Sequence, residues 1–313
     1  MTFSPTDSVQ ILGSAPAKII LFGEHAVLYG YQALGFALSR GVNIQMRAGE
    51  GRVFTKFSHE LHTATESGQS TPDPLVRKAL GASFGDLDVD ITFEVPVSGG
   101  LGSSAALATA LIRASLTKDK KVADPMEVLR KAMEVEDVAH GKSSGLDPAI
   151  CVYGGLVSFK RTSAEDFQVQ HLELKESFHL VIGVYGSHGG TSRRIKAVTK
   201  LRKIYPAAID SAMKTLGHCA DWGIKAIQAG DLHSTGHAMD LAHGVLSGMG
   251  LVGHTIEQMA RAARHEGAYG AKMSGSGGEG GAVVALVPDI QTGNQISMRW
   301  RELGAETWIE TAS

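Results

Sequence analysis

The chain has 313 residues, 43% hydrophobic and 20% charged, with a formal net charge of -2, so nothing in its electrostatics draws it to nucleic acid or to an acidic membrane surface, and a small molecule is the expected partner. That length is generous for one core and predicts two domains. Cys151 and Cys219 form no CxxC pair, which argues against a disulfide framework or a structural zinc, and neither a signal peptide nor a membrane-spanning apolar run is legible, so a cytoplasmic protein is expected.

In chain order, AKIILFG (residues 17–23), GVNIQMRA (41–48) and RVFTKFS (52–58) read as strands, and the polar, aperiodic LHTATESGQSTPD (61–73) reads as an exposed loop. DVDITFEV (88–95) alternates Val89, Ile91, Phe93 and Val95 with polar residues, as a half-buried strand does. It leads into PVSGGLGSSAALATA (96–110), a glycine loop running into an Ala- and Leu-rich helix whose opening serines suit capping. Strand, glycine loop and helix start together aim backbone N–H groups and the positive end of the helix dipole at one point, where a phosphate is the usual occupant. The loop has no GxxxxGK[ST] pattern, so a lysine for ATP must come from elsewhere.

A helix is predicted from Asp124, as cap, and Pro125 to Gly141. Met126, Leu129, Met133 and His140 fall on its inward stripe, and so does Glu136, a carboxylate that needs a cation or several donors if it is buried. The helix position alone favours an internal Arg or Lys as that partner. Asp147, between Gly145 and Pro148, reads as a turn former or cap in a loop. YGGLVSFK and FHLVIGVYG read as strands, HGGTSRRIKAV as the start of a helix, and residues 206–267 as mainly helical. His233, His237 and His243 lie in that region without a third ligand at a matching step, and read as packing or surface histidines, with no zinc assigned. A second glycine loop, SGSGGEGG (274–281), precedes a strand, and the two glycine loops are expected to form two walls around one ligand. The domain boundary is expected near Lys175, giving domains of residues 1–175 and 176–313.

Three motifs stand in order: APAKIILFGEHAVLYG (15–30), PVSGGLGSSAA (96–106) and KMSGSGGEGGAVVAL (272–286). Together they resemble the GHMP kinase superfamily, and GEHAVLYG with SSGLDPA resembles its mevalonate kinase branch. The resemblance implies a two-domain α+β fold, with an N-terminal domain like ribosomal protein S5 domain 2 and a C-terminal ferredoxin-like α/β sandwich. It implies ATP and Mg²⁺ as cofactors, mevalonate as the small-molecule substrate and a homodimer as a common assembly. Carried over residue by residue, it makes Pro96, Ser98, Gly99, Gly100, Leu101, Gly102, Ser103 and Ser104 the ATP phosphate loop. Ser104 and Glu136 become magnesium ligands, Asp147 stands beside the reacting hydroxyl, and Lys18 pairs with Asp147. Glu24, His25, Ser144, Thr191 and Gly275 join Lys18 and Asp147 around the substrate. The third motif departs from the family pattern at Ser276, Glu279 and Gly281, where alanine, glycine and cysteine are usual. The glycines flanking Glu279 let the backbone turn its carboxylate to solvent. A catalytically silent nucleotide sensor on the same fold would be expected to lose one of Lys18, Ser104, Glu136 or Asp147, and all four are present.

Overall fold

The computed structural model describes residues 11–58, 67–69, 74–122, 124–140, 144–163, 166–187 and 190–313. Its first sheet holds β1 (Ile11–Phe22), β2 (Gln32–Ala48), β3 (Val53–Phe57), β4 (Ser67–Gln69), β5 (Leu87–Phe93), β6 (Leu156–Arg161) and β7 (Phe167–His171). The long β2 pairs antiparallel with β1, with β6 through its first residues and with β5 through its last, while β3 runs parallel to β5. Among the described residues, the α-helices of this half are α1 (Pro74–Leu80), α2 (Ser103–Lys118), α3 (Pro125–His140) and α4 (Leu146–Tyr153).

The second sheet, in the order β11-β8-β10-β9, is antiparallel and is built from β8 (Phe178–Tyr185), β9 (Gly270–Ser274), β10 (Gly281–Val287) and β11 (Glu306–Ala312). Among the described residues it is accompanied by α5 (Thr191–Ile204), α6 (Pro206–Ala229), α7 (Leu232–Gly248), α8 (His254–His265) and α9 (Ile290–Glu302). The helical reading of residues 206–267 thus resolves into α6, α7 and α8.

Apolar periodicity explains where each layer packs. In β1, Ala17, Ile19 and Leu21 enter a core shared with β8, β10 and helices α6 to α9, whereas Ile20 faces the other way into the core beneath α2. This is the period of two expected of a strand buried on both faces. Helix α2 is apolar nearly all round, with Ala105 to Ile112 buried in an unbroken run, as a central helix must be. Trp300 of α9 is fully buried and donates its indole N–H to the Met259 carbonyl at 2.8 Å, which ties α9 to α8.

Three sequence expectations need correction. Residues 67–69, read as part of an exposed loop, form β4 and pair with β3; the rest of that segment, residues 61–66 and 70–73, lies outside the described residues. β2 begins at Gln32 rather than near Gly41. Its interior Gly35, which punctuates the apolar pattern, is required by packing, because a Cβ there would lie 2.1 Å from Cδ1 of Ile150 in α4. Asp147 stands in the first turn of α4 and not in a loop. Gly145, at φ 88°, supplies the left-handed residue that opens that helix before a proline in its first turn.

Candidate active site

The segment between β5 and α2 reverses the chain with three residues in the left-handed region, Ser98 (φ 62°), Gly100 (φ 84°) and Gly102 (φ 68°). Gly102 is the cap of α2, so Ser103 and Ser104 lie inside the first turn and do not cap it, contrary to the sequence reading. The helix start has no side-chain cap, and Gly102, Ser103 and Ser104 line a cavity of about 300 Å³. A Cβ on Gly102 would come within 2.6 Å of Lys18 Cε, so glycine here is what lets the lysine pass under the loop.

Lys18 reaches the cavity from β1. Its backbone N–H donates to the Leu101 carbonyl at 2.9 Å, and its Nζ donates to the Gly100 carbonyl at 3.2 Å. Nζ also lies 3.0 Å from Asp147 Oδ2; the lysine side chain is 2% exposed and the aspartate 31%. A buried ammonium is costly without partners, and these oxygens supply them. Beside the start of α2, Ser104 Oγ donates to Glu136 Oε1 at 3.3 Å, and Glu136, on the buried stripe of α3, is 4% exposed. Cys151 of α4 lies behind this group, its thiol pushed up by burial first and then by the charges of Asp147 and Glu136, which leaves it an inert packing residue.

On the opposite wall, Glu24 follows β1 and forms a fully buried ion pair with Lys272 of β9. Burial raises the Glu24 carboxyl and lowers the Lys272 ammonium, while each charge opposes the shift of the other. His25, at φ 59°, is held in the left-handed region with its Nε2 3.0 Å from the Ser276 carbonyl. A carbonyl can only accept, so Nε2 carries the proton, and burial holds the ring below the usual histidine range.

The cavity is lined by Lys18, Glu24, His25, Ser98, Gly100, Gly102, Ser103, Ser104, Glu136, Ser144, Asp147, Thr191 and Gly275, so the fold brings together thirteen of the residues singled out from the sequence. Pro96, Gly99 and Leu101 do not line it. Leu101 turns its side chain into the core, and Gly99 faces Val184, where a Cβ would meet Cγ1 at 2.7 Å. Glu279 is exposed, as its flanking glycines allow. His243 is buried between the Met273 amide, which donates to Nδ1 at 3.1 Å, and Glu257, which accepts from Nε2 at 2.6 Å, and so serves packing.

Sequence reasoning missed the apolar part of the lining, Ile20, Val27, Leu28, Leu75, Phe93, Val97, Leu107, Leu146 and Ile195, together with Ser192 and Ser276. Leu75 comes from α1, whose opening Pro74 was a usable helix-start signal. Lys272 was quoted only as part of a motif, and its partner Glu24 lies 248 residues away.

The GHMP kinases N terminal domain model matches residues 74–155, and the GHMP kinases C terminal model matches residues 224–306. The mevalonate kinase of Thermococcus sibiricus is 31% identical over 310 residues, covering 91% of each chain. This chain belongs to the mevalonate kinases of the GHMP kinase family. A second mevalonate kinase, from Methanothermobacter thermautotrophicus, is 31% identical over 94% of this chain and 96% of its own. The crystal structure of L. major mevalonate kinase in complex with R-mevalonate superposes with a TM-score of 0.83 at 22% identity, covering 100% of this chain and 99% of that one, which shows the same GHMP kinase fold. The N-terminal family match contains the glycine loop, Glu136 and Asp147, whereas Lys18, Glu24 and His25 precede it. As a kinase of this family, the chain uses ATP.

Proposed function

We propose that this chain transfers the γ-phosphate of ATP to the C5 hydroxyl of mevalonate, giving 5-phosphomevalonate. The observation that carries the reading is the Lys18–Asp147 pair, 3.0 Å apart, in the same cavity as the uncapped start of α2. Phosphoryl transfer asks little covalent work of a protein; it needs alignment and positive charge around the moving group. The α2 N–H groups and the turn at Gly100 and Gly102 suit the phosphates, and Lys18 suits the oxygen that attacks. That hydroxyl oxygen bonds to the γ-phosphorus as the bridging oxygen departs with ADP, and the hydroxyl proton passes to Asp147. A carboxylate is a far weaker base than the alkoxide it would generate, so Asp147 orients the hydroxyl and takes the proton late, and Lys18 stabilises the charge that develops on the oxygen.

The donor set beside α2 fits Mg²⁺. Glu136 and Ser104 offer one carboxylate and one hydroxyl oxygen, and Mg²⁺ is commonly held by one or two carboxylates together with substrate phosphates. Bound there, the ion would neutralise phosphate charge. Glu24, His25, Ser144, Thr191 and Gly275 would surround mevalonate. The break between the two sheets, after β7 and before β8, supports domains of residues 1–175 and 176–313. A cytoplasmic homodimer accords with the family; among the described residues no helix is long and apolar enough to cross a membrane.

The test is ADP release by the purified protein with ATP and Mg²⁺, offered mevalonate, galactose, homoserine or 5-phosphomevalonate. Turnover on mevalonate alone is expected. Silence on all four, with ATP still bound, would overturn the reading in favour of a nucleotide sensor.

A further inference from the structure

Alternate residues of the chain from β9 into the second glycine loop dock on the end of β1. Lys272 pairs with Glu24, Ser274 Oγ accepts from the Ile20 N–H at 2.8 Å, and the Ser276 carbonyl accepts from His25. On the other face of the strand the Met273 amide is fixed by His243, and Lys272 Nζ also donates to the Met273 carbonyl at 2.7 Å. Lys272 is 0% exposed and does not line the cavity, whereas Glu24 does. One Glu24 oxygen is held by Lys272; the other, also buried, has no hydrogen-bond donor.

A buried carboxylate short of donors recruits whatever cation is within reach. Among the described residues that line the cavity there is one lysine, Lys18, and no arginine. Lys18 is close enough for its charge to act on both Glu24 and Lys272. Two carboxylates, Glu24 and Asp147, thus share a region with two ammonium groups, and the observed arrangement assigns one to each.

We propose that Lys272 is a positioning residue for phosphoryl transfer: by occupying Glu24 it leaves Lys18 to Asp147 and to the Gly100 carbonyl, where the attacking hydroxyl needs it. This rests on the kinase reading given above. Lys272 touches neither substrate. Its effect passes through the choice of partner made by Lys18, and a displacement of that ammonium by about 1 Å is enough to slow a positioned reaction on the order of a hundredfold.

The test compares steady-state kinetics of the wild type, Lys272→Met, Glu24→Gln and the double variant, with mevalonate and ATP each varied, well below the melting temperature of every protein. A wild type silent on mevalonate would overturn the kinase reading and this proposal with it. With an active wild type, Lys272→Met is expected to lower kcat on the order of a hundredfold while the KM for ATP stays within about threefold, because the phosphate loop is untouched. The double variant, in which the Glu24 charge no longer competes, is expected to be at least about tenfold faster than Lys272→Met and no slower than Glu24→Gln. A purely structural lysine would lower the melting temperature and leave kcat within about threefold of the wild type, which would overturn the proposal. If Lys272→Met does not fold, the double variant decides: a kcat below that of Glu24→Gln would mean that Lys272 acts by another route.

Discussion

Lys18 gains its place from two neighbours that the sequence sets far from it, Gly102, which makes room for its stem, and Asp147, which receives its charge. Removing the acceptor of that charge tests the chemistry most directly. Asp147→Asn is expected to cut kcat on the order of a hundredfold or more with little change in the KM for ATP, as measured by ADP release. Near-normal turnover would take Asp147 out of the reaction. Glu136→Gln keeps the shape of the side chain and its hydrogen bond from Ser104 while removing the charge. It is expected to raise the Mg²⁺ concentration needed for half-maximal rate several-fold, and an unchanged metal titration would assign Glu136 to packing alone.

At the scale of elements, the turn into α2 can be probed by a pair of glycines that are both in the left-handed helical region. Gly102 sits at φ 68°, ψ 32° and Gly230 at φ 78°, ψ 12°, but a Cβ on Gly230 meets nothing closer than 3.9 Å, whereas one on Gly102 meets Lys18 at 2.6 Å. Alanine at either position bears a left-handed penalty of about 1–2 kcal/mol. Only Gly102→Ala is expected to lower kcat as well, because only it displaces the lysine; equal kinetics for the two variants would refute the contact. Another local clamp carries a pH signature. The Asp88 carboxyl, at the start of β5, is held down to about 2 by the Arg52 guanidinium and by the backbone N–H groups of Glu50 and Arg52. A carboxyl depressed in the fold contributes stability above its unfolded pKa, near 4, and loses that contribution as pH falls toward 2. Asp88→Asn should therefore lower the melting temperature at pH 7 and narrow its gap to the wild type by pH 2.

What could be read from the sequence at this scale had a local signature. Val89, Ile91 and Phe93 alternate, the glycine loop precedes an Ala-rich helix, and Glu136 lies on an apolar stripe, so each is legible within about a dozen residues. Lys18, Glu24 and Asp147 came from motif resemblance, since no periodicity marks them. The Glu24–Lys272 pair had no local signal, because the tertiary fold creates it across 248 residues. Gly35 likewise has no local cause: what requires it is Ile150 in a different element.

Over the whole molecule, the two sheets are not independent bodies. The core containing β8, β10 and the C-terminal helices also contains Ala17, Ile19, Leu21 and Phe22 of β1 and Leu34, Phe36 and Leu38 of β2. The two halves are expected to unfold in a single calorimetric transition, despite the usual rule that two-domain proteins depart from two-state behaviour. Two resolved transitions would show that this shared core does not couple them.

Because β1 has an apolar face on each side, its timing during synthesis matters. The strand leaves the ribosome well before β9 and β10, which complete one of its faces some 250 residues later. At about 5–20 residues per second that is a wait on the order of ten seconds or more. During that interval Ala17, Ile19, Leu21 and Phe22 present an unfinished surface, a natural landing place for a chaperone and a liability when translation stalls.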